Sequence, residues 1–112
     1  MNKLTLKTKT QAILLTIAMA AVAYVPSAKA DALCDGLGSA ASAIMEARQN
    51  NVPMSKLMLI ADKGESEQAK DLFKAMVVDA YGQQRWSSDT MKANAVEDFG
   101  NDVMVECYKK LR

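Results

Sequence analysis

Two cysteines constrain this chain more than any other feature of its sequence. Cys34 and Cys107 stand 73 positions apart, and because the chain has no other cysteine, one intramolecular disulfide is possible. Such a bridge would tie together two distant parts of the chain. Whether the thiols are oxidised depends on the cellular compartment, which the N-terminal residues indicate.

The N-terminal residues have the three parts of a secretory signal. Lysines without an acid open the chain, an apolar run of 14 residues covers 12–25, and an Ala-x-Ala peptidase motif ends at Ala30. The apolar run is shorter than the roughly 20 residues that a membrane span requires. We therefore expect residues 1–30 to be cleaved before Asp31. Residues 31–112 would remain as one periplasmic or secreted domain without a membrane anchor.

Export changes the charge of the protein. Cleavage removes four lysines, so that Lys+Arg falls from 14 to 10 while all 13 acids remain, and the formal net charge changes from +1 to about −3. A mildly acidic domain without a basic cluster has no electrostatic match to a phosphate backbone. We therefore expect no nucleic acid among its partners.

An exported protein folds in oxidising surroundings, where an even number of cysteines in a short chain indicates a structural disulfide. Cys34 and Cys107 lack the close spacing of a redox pair, and the absence of histidine disfavours a zinc site. Intermolecular pairing is the remaining alternative. On the chain-entropy model, a bridge that closes so long a loop stabilises the fold by roughly 4 kcal/mol.

Four stretches after the signal repeat apolar residues every three or four positions, the spacing of amphipathic helices rather than strands. They cover 33–45, 57–61, 69–80 and 91–107. Helices joined by short turns alternate in direction, so the first begins at the end of the bundle where the fourth finishes. These are the places that hold the two cysteines. The sequence thus predicts an all-α fold, a compact antiparallel bundle of about four helices with a short second helix, closed by one disulfide between the first and last helices.

Local signals predict how these helices end and pack. Ser55 and Ser66 are candidate N-caps of the second and third helices. Gly64 suits the left-handed conformation that often follows a helix. Gly36 and Gly38 lie in a run of small residues that would let another helix approach closely.

Arg85 and Trp86 are the candidate partner-binding residues, since Trp and Arg are enriched at the energetic centres of protein interfaces. The alternative for Trp86 is structural. If Ser87 caps the fourth helix, Trp86 and Met91 occupy the two positions of a hydrophobic staple. Both roles are compatible when one face of the indole stays open.

A second candidate surface is acidic. Asp98, Asp102 and Glu106 are spaced by four along the fourth helix, with Glu97 adjacent to them. This stripe would suit a basic partner. The alternative is a solvated helix flank, partly neutralised by the lysines at the end of the helix.

No catalytic chemistry is indicated. The chain has no histidine, both thiols are expected in a bridge, and neither a glycine-rich phosphate loop nor a nucleophile elbow is present. We therefore expect a protein that is not an enzyme and that holds no cofactor or metal. Met54 and Met58, four positions apart, leave Cu(I) binding by thioethers as an alternative to plain core packing.

Three stretches of the chain stand out beside these patterns. They are Asn51-Val52-Pro53-Met54-Ser55, Ala80-Tyr81 with Arg85-Trp86-Ser87, and Val96-Glu97-Asp98-Phe99 through Glu106-Cys107. Together they resemble a group of small exported helical proteins of Gram-negative bacteria and their phages, which implies the helical fold and the disulfide and carries no activity. In length, signal and single disulfide the chain is also similar to the acid-activated periplasmic chaperones of the HdeA type, whose cysteines enclose a shorter central segment.

These features favour a non-enzymatic interaction module of the bacterial envelope, of the inhibitor, immunity or exclusion type, whose partner is another envelope protein. The first alternative is a stress chaperone, because protonation of 13 carboxylates in acid would make the domain strongly cationic and loosen its methionine-rich core. Met-based Cu(I) binding is the second alternative.

Intact-mass spectrometry of the protein recovered from the envelope of an expressing bacterium tests the export hypothesis. We expect a chain that begins at Asp31, with both thiols oxidised and therefore unreactive towards iodoacetamide until a reductant is added. A form that retains residues 1–30, or that is alkylated at both cysteines without reduction, would contradict it.

Overall fold

A computed structural model describes residues 27–111, and four helices follow one another in it. They are α1 Ser27–Gln49, α2 Met54–Ala61, α3 Glu67–Tyr81 and α4 Asp89–Lys110. No strand occurs in this part of the chain, so the predicted all-α class and the short second helix are confirmed. The charged start and apolar run of the predicted signal lie outside the described residues, and the expected cleavage point after Ala30 lies within α1.

The chain divides into two compact units. The larger one runs from Cys34 to Cys107 and contains the hydrophobic core. Of the described residues, the smaller one takes in 27–33 and 108–111, where the Tyr108 hydroxyl donates a hydrogen bond of 3.1 Å to the carboxylate of Asp31.

All four helices contribute side chains to the core of the larger unit, and α1 packs against both α3 and α4. The buried members are Ala41, Ile44 and Met45 of α1, Leu57 of α2, Met76, Val77 and Ala80 of α3, and Phe99 of α4. Each belongs to an apolar pattern that predicted a helix. Leu33, Ile60 and Leu72 also belong to these patterns but are not buried, since each is about half exposed. A domain this small has too little interior to cover every apolar side chain.

The predicted disulfide is present between the first and last helices. Cys34 in α1 and Cys107 in α4 are bonded, with their Cα atoms 5.5 Å apart. Cys34 is fully buried and Cys107 nearly so. The bridge therefore lies inside the packed interface between two regular helices.

Gly38 and Gly100 let α1 and α4 cross at close range, and both are buried. A Cβ atom at Gly100 would overlap the Ser42 hydroxyl and lie 3.1 Å from the carbonyl oxygen of Gly38, while one at Gly38 would overlap the side chain of Met104. The close approach expected of this small-residue segment is confirmed at Gly38. Gly36 takes no part in it, since a Cβ there would meet nothing within 4 Å.

The predicted caps of the middle helices are right for α3 and wrong for α2. The Ser66 hydroxyl accepts a hydrogen bond of 3.0 Å from the backbone N–H of Ala69, so it is the N-cap of α3. Ser55 does not cap α2, because that helix begins one residue earlier and Pro53 is its N-cap without a side-chain bond. Proline is well suited there, since its backbone has no N–H to satisfy and its φ angle is fixed.

The left-handed residue expected at Gly64 is found instead at Asn51, whose φ of 67° is the only positive value among the described residues. Asn51 ends α1. Its N–H donates to the carbonyl of Arg48 (3.1 Å), and the next N–H, of Val52, donates to the carbonyl of Ala47 (2.9 Å). This pair of bonds is a Schellman motif, which satisfies the last carbonyl groups of the helix and turns the chain towards α2.

Removal of the disulfide measures how much stability it provides. We expect Cys34→Ala/Cys107→Ala to lower the free energy of unfolding by about 4 kcal/mol, since the unfolded chain regains the freedom of a long loop. Urea denaturation followed by circular dichroism gives the value, and the reduced wild-type protein is the control for cavity effects. A loss below about 1 kcal/mol in both would contradict a stabilising role.

A matched pair of glycine substitutions tests the crossing of α1 and α4. We expect Gly100→Ala to destabilise the protein by about 1–3 kcal/mol, because the new methyl group has no room beside Ser42 and Gly38. Gly36→Ala makes the same chemical change at an open position and should stabilise the protein by up to about 1 kcal/mol through helix propensity. Equal effects of the two substitutions in urea denaturation would show that the crossing is not tight.

Candidate functional site

The predicted partner-binding residues lie in the loop between α3 and α4, residues 82–88, which we call the α3–α4 loop. The side chain of Arg85 is exposed and that of Trp86 is half-buried. Arg85 has no hydrogen bond or ion pair with any residue of the described part of the chain. The two residues are thus neighbours at the surface of the protein, Arg85 exposed and Trp86 only in part.

Gln49, at the end of α1, fixes the backbone of the α3–α4 loop. Its side chain is 1% exposed. The side-chain oxygen accepts a hydrogen bond of 2.8 Å from the N–H of Trp86, and the side-chain nitrogen donates one of 2.9 Å to the carbonyl of Gln84. The buried amide of Gln49 thus bonds to the backbone of both residues that flank Arg85. Breaking either bond would leave a buried polar group without a partner, so the backbone around Arg85 is fixed.

Arg48, the neighbour of Gln49, holds the start of the same loop. Its guanidinium donates two hydrogen bonds to the carbonyl of Gln83, at 3.2 and 3.0 Å, and its carbon lies 5.4 Å from the centre of the Tyr81 ring. The Tyr81 hydroxyl donates to the carbonyl of Val52 at 2.6 Å. Burial raises the pKa of the Tyr81 phenol, and the positive charge of Arg48 opposes this rise, so the phenol remains a donor at neutral pH.

The N-terminus of α4 follows a different register from the predicted one. Ser88, not Ser87, is the cap, since its hydroxyl accepts a hydrogen bond of 3.1 Å from the N–H of Met91. Trp86 and Met91 are therefore not the two positions of a hydrophobic staple, and this interpretation of Trp86 is wrong in its register. Trp86 is placed instead by the bond from its N–H to Gln49.

A groove runs between α1 and α4. It consists of two adjoining cavities of about 500 and 400 Å³, which share Glu46 and Glu97 as lining residues. Asp35 also lines the first cavity and Asp89 the second. We call it the acidic groove, because two carboxylates of α1 and two of α4 line it.

The predicted acidic stripe does not belong to the acidic groove. Asp98, Asp102 and Glu106 are exposed on α4, and none of them lines either cavity. Only their neighbour Glu97 faces the groove. Sequence reasoning missed the groove because its acids come from two helices that are far apart in the chain, and only the packing of α1 on α4 brings them together. The available signal was the spacing of Asp35 and Glu46, which lie three turns apart on one side of α1.

The methionines considered for copper lie at the core. Met54 and Met58 are half-buried and pack against the buried cluster. Within residues 27–111, no group of three or more His, Cys, Asp or Glu side chains is close enough to hold a metal ion. Across the same residues, every helix is too short or too polar to span a bilayer.

Replacement of Gln49 tests whether it fixes the loop. We expect Gln49→Leu to cost about 1–3 kcal/mol of stability, because the N–H of Trp86 loses its buried acceptor. The amide of Trp86 should then exchange with deuterium faster, and the emission of Trp86, the only tryptophan in the chain, should shift. Gln84→Ala is the control, since it keeps the backbone carbonyl that Gln49 binds. Unchanged exchange in Gln49→Leu would contradict this role.

Comparison of the chain with protein-family models, with curated proteins and with solved structures gives no match. The candidate functional features are therefore defined by the geometry of the described residues. They are the α3–α4 loop, with exposed Arg85 beside half-buried Trp86, and the acidic groove between α1 and α4.

Proposed function

We propose that this protein is a non-enzymatic interaction module of the periplasm, and that it binds another envelope protein through the α3–α4 loop. One observation carries the proposal. The backbone on both sides of Arg85 is fixed by the buried side chain of Gln49, while the guanidinium of Arg85 has no partner in residues 27–111.

A loop held in this way lowers the entropic cost of binding. Ordering a flexible loop at an interface costs free energy that is subtracted from the affinity, and a loop that is already fixed avoids this cost. Arg85 supplies a planar group that can pair with a carboxylate through two hydrogen bonds. The half-buried indole of Trp86 supplies a rigid apolar surface next to it. Trp and Arg in contact with a partner are the residue types that contribute most to binding free energy.

The periplasmic location is supported by two independent features. The N-terminal residues have the order of charge, apolar run and Ala-x-Ala motif typical of a secretory signal. The disulfide between Cys34 and Cys107 is the kind of bond that persists in an oxidising compartment. A small domain stabilised by such a bond suits an inhibitor, immunity or exclusion factor that must stay folded outside the cytoplasm.

A double substitution in the loop tests the proposal. The tagged protein is expressed with its signal, cross-linked in intact cells and purified, and the captured envelope proteins are quantified by mass spectrometry. We expect Arg85→Ala/Trp86→Ala to reduce capture of the specific partner at least about tenfold, as is usual when two central residues of an interface are truncated.

The matched control is Leu59→Ala/Lys63→Ala, which removes one exposed apolar side chain in the last turn of α2 and one exposed cation in the turn that follows it. It should capture the partner as the wild type does. Circular dichroism before capture establishes that both variants are folded. Equal capture by the wild type and the loop variant would show that the α3–α4 loop is not the binding surface.

A further inference from the structure

We infer that the acidic groove is a second interaction surface, and that its occupant is a basic amphipathic segment of a partner protein, such as a helix with lysine or arginine along one side. This inference concerns a surface other than the α3–α4 loop and does not depend on the function proposed for that loop. Its basis is the shape of the groove, the charge of its walls and the spacing of its carboxylates.

The shape of the groove follows from the small residues beneath it. Gly38 and Gly100 line it, together with Ser42 and Ala43, so the space above the crossing of α1 and α4 is not filled by large side chains. Substitution of either glycine would bring a methyl group into the crossing itself. The side chain of Met104 adds an apolar and deformable surface at one end. A segment of a partner would therefore find a concave surface with apolar atoms along its base.

Acidic side chains outnumber basic ones in the lining of the groove. Asp35, Glu46, Asp89 and Glu97 line it, and none of the four carboxylates forms an ion pair with a cation of residues 27–111. The single cation in the lining, Lys92, donates a hydrogen bond of 2.6 Å to the carbonyl of Gln49, at the end of α1. The groove therefore attracts cationic segments and repels anionic ones.

The spacing of the carboxylates selects an extended occupant over a single ion. Asp35 and Glu46 are 11 positions apart on α1, or about 16 Å at the helical rise of 1.5 Å per residue. Asp89 and Glu97 are similarly separated by about 12 Å on α4. No three acids of the described residues are close enough to share a metal ion. Cations placed along about three turns of a helix would match this distribution, whereas one bound cation would leave most of the charge unpaired.

Binding of a basic peptide to the purified protein provides the test. The probe is a fluorescent amphipathic peptide of lysine, leucine and alanine, with lysines every three or four positions, and its counterpart with glutamate in place of lysine. Fluorescence anisotropy at low salt should show saturable binding of the lysine peptide only. Absence of binding by the wild-type protein would overturn the inference.

A charge-reversal pair locates the binding. Glu46→Lys/Glu97→Lys should weaken binding at least about tenfold, because both carboxylates lie in the shared part of the groove. Asp98→Lys/Asp102→Lys makes the same change of net charge outside the groove and should alter the affinity by less than about threefold. Equal weakening by the two variants would show that the peptide responds to net charge alone and would overturn the inference.

A steric pair tests the concave surface without changing the charge. Ala43 lines the groove, and Ala43→Trp would fill it. Ala75→Trp introduces the same side chain at an exposed position of α3. We expect at least about tenfold weaker binding for the first and wild-type binding for the second, whereas wild-type binding by both would exclude the groove. The variant Arg85→Ala/Trp86→Ala should bind the peptide normally, which separates this inference from the function of the loop.

Discussion

The close contact between α1 and α4 is the constraint on which the rest of the structure depends. The disulfide joins the two helices near one end, and the bond from Lys92 to the carbonyl of Gln49 joins them near the other. Between these points, Gly38 and Gly100 remove the side chains that would hold the helices apart. The core on one side and the acidic groove between the helices follow from this contact, because both are lined by α1 and α4.

The end of α1 has a second role, as the support of the loop before α4. A helix normally leaves its last carbonyl groups to solvent or to a cap. Here the Schellman turn at Asn51 satisfies some of them, Lys92 satisfies that of Gln49, and the side chains of Arg48 and Gln49 bind carbonyl and amide groups of the loop. The polar groups at the end of α1 and those of the α3–α4 loop thus satisfy each other. These bonds hold the α3–α4 loop, most of whose residues are exposed, against the end of α1.

The sequence predicted what depends on local pattern or on a single possible pairing. The helices follow from apolar spacing, the cap at Ser66 from the residue types around it, and the bridge from the presence of only two cysteines. It failed where two neighbouring residues could play one role: Ser87 and Ser88 carry the same hydroxyl, and in the structure it is Ser88 that caps α4. The acidic groove was missed, because the spacing of acids on α1 alone does not show that α4 packs beside them and adds its own.

The position of the bridge also determines how the protein responds to force. Because Cys34 and Cys107 enclose almost all of the core, tension applied to the two ends of the oxidised chain passes through the sulfur–sulfur bond and does not extend the polypeptide between them. An unfolding protease that pulls on either end would have to translocate two segments of chain side by side, because the disulfide closes them into a loop. The same bond that limits the disorder of the unfolded chain therefore makes the folded domain a poor substrate for degradation by threading.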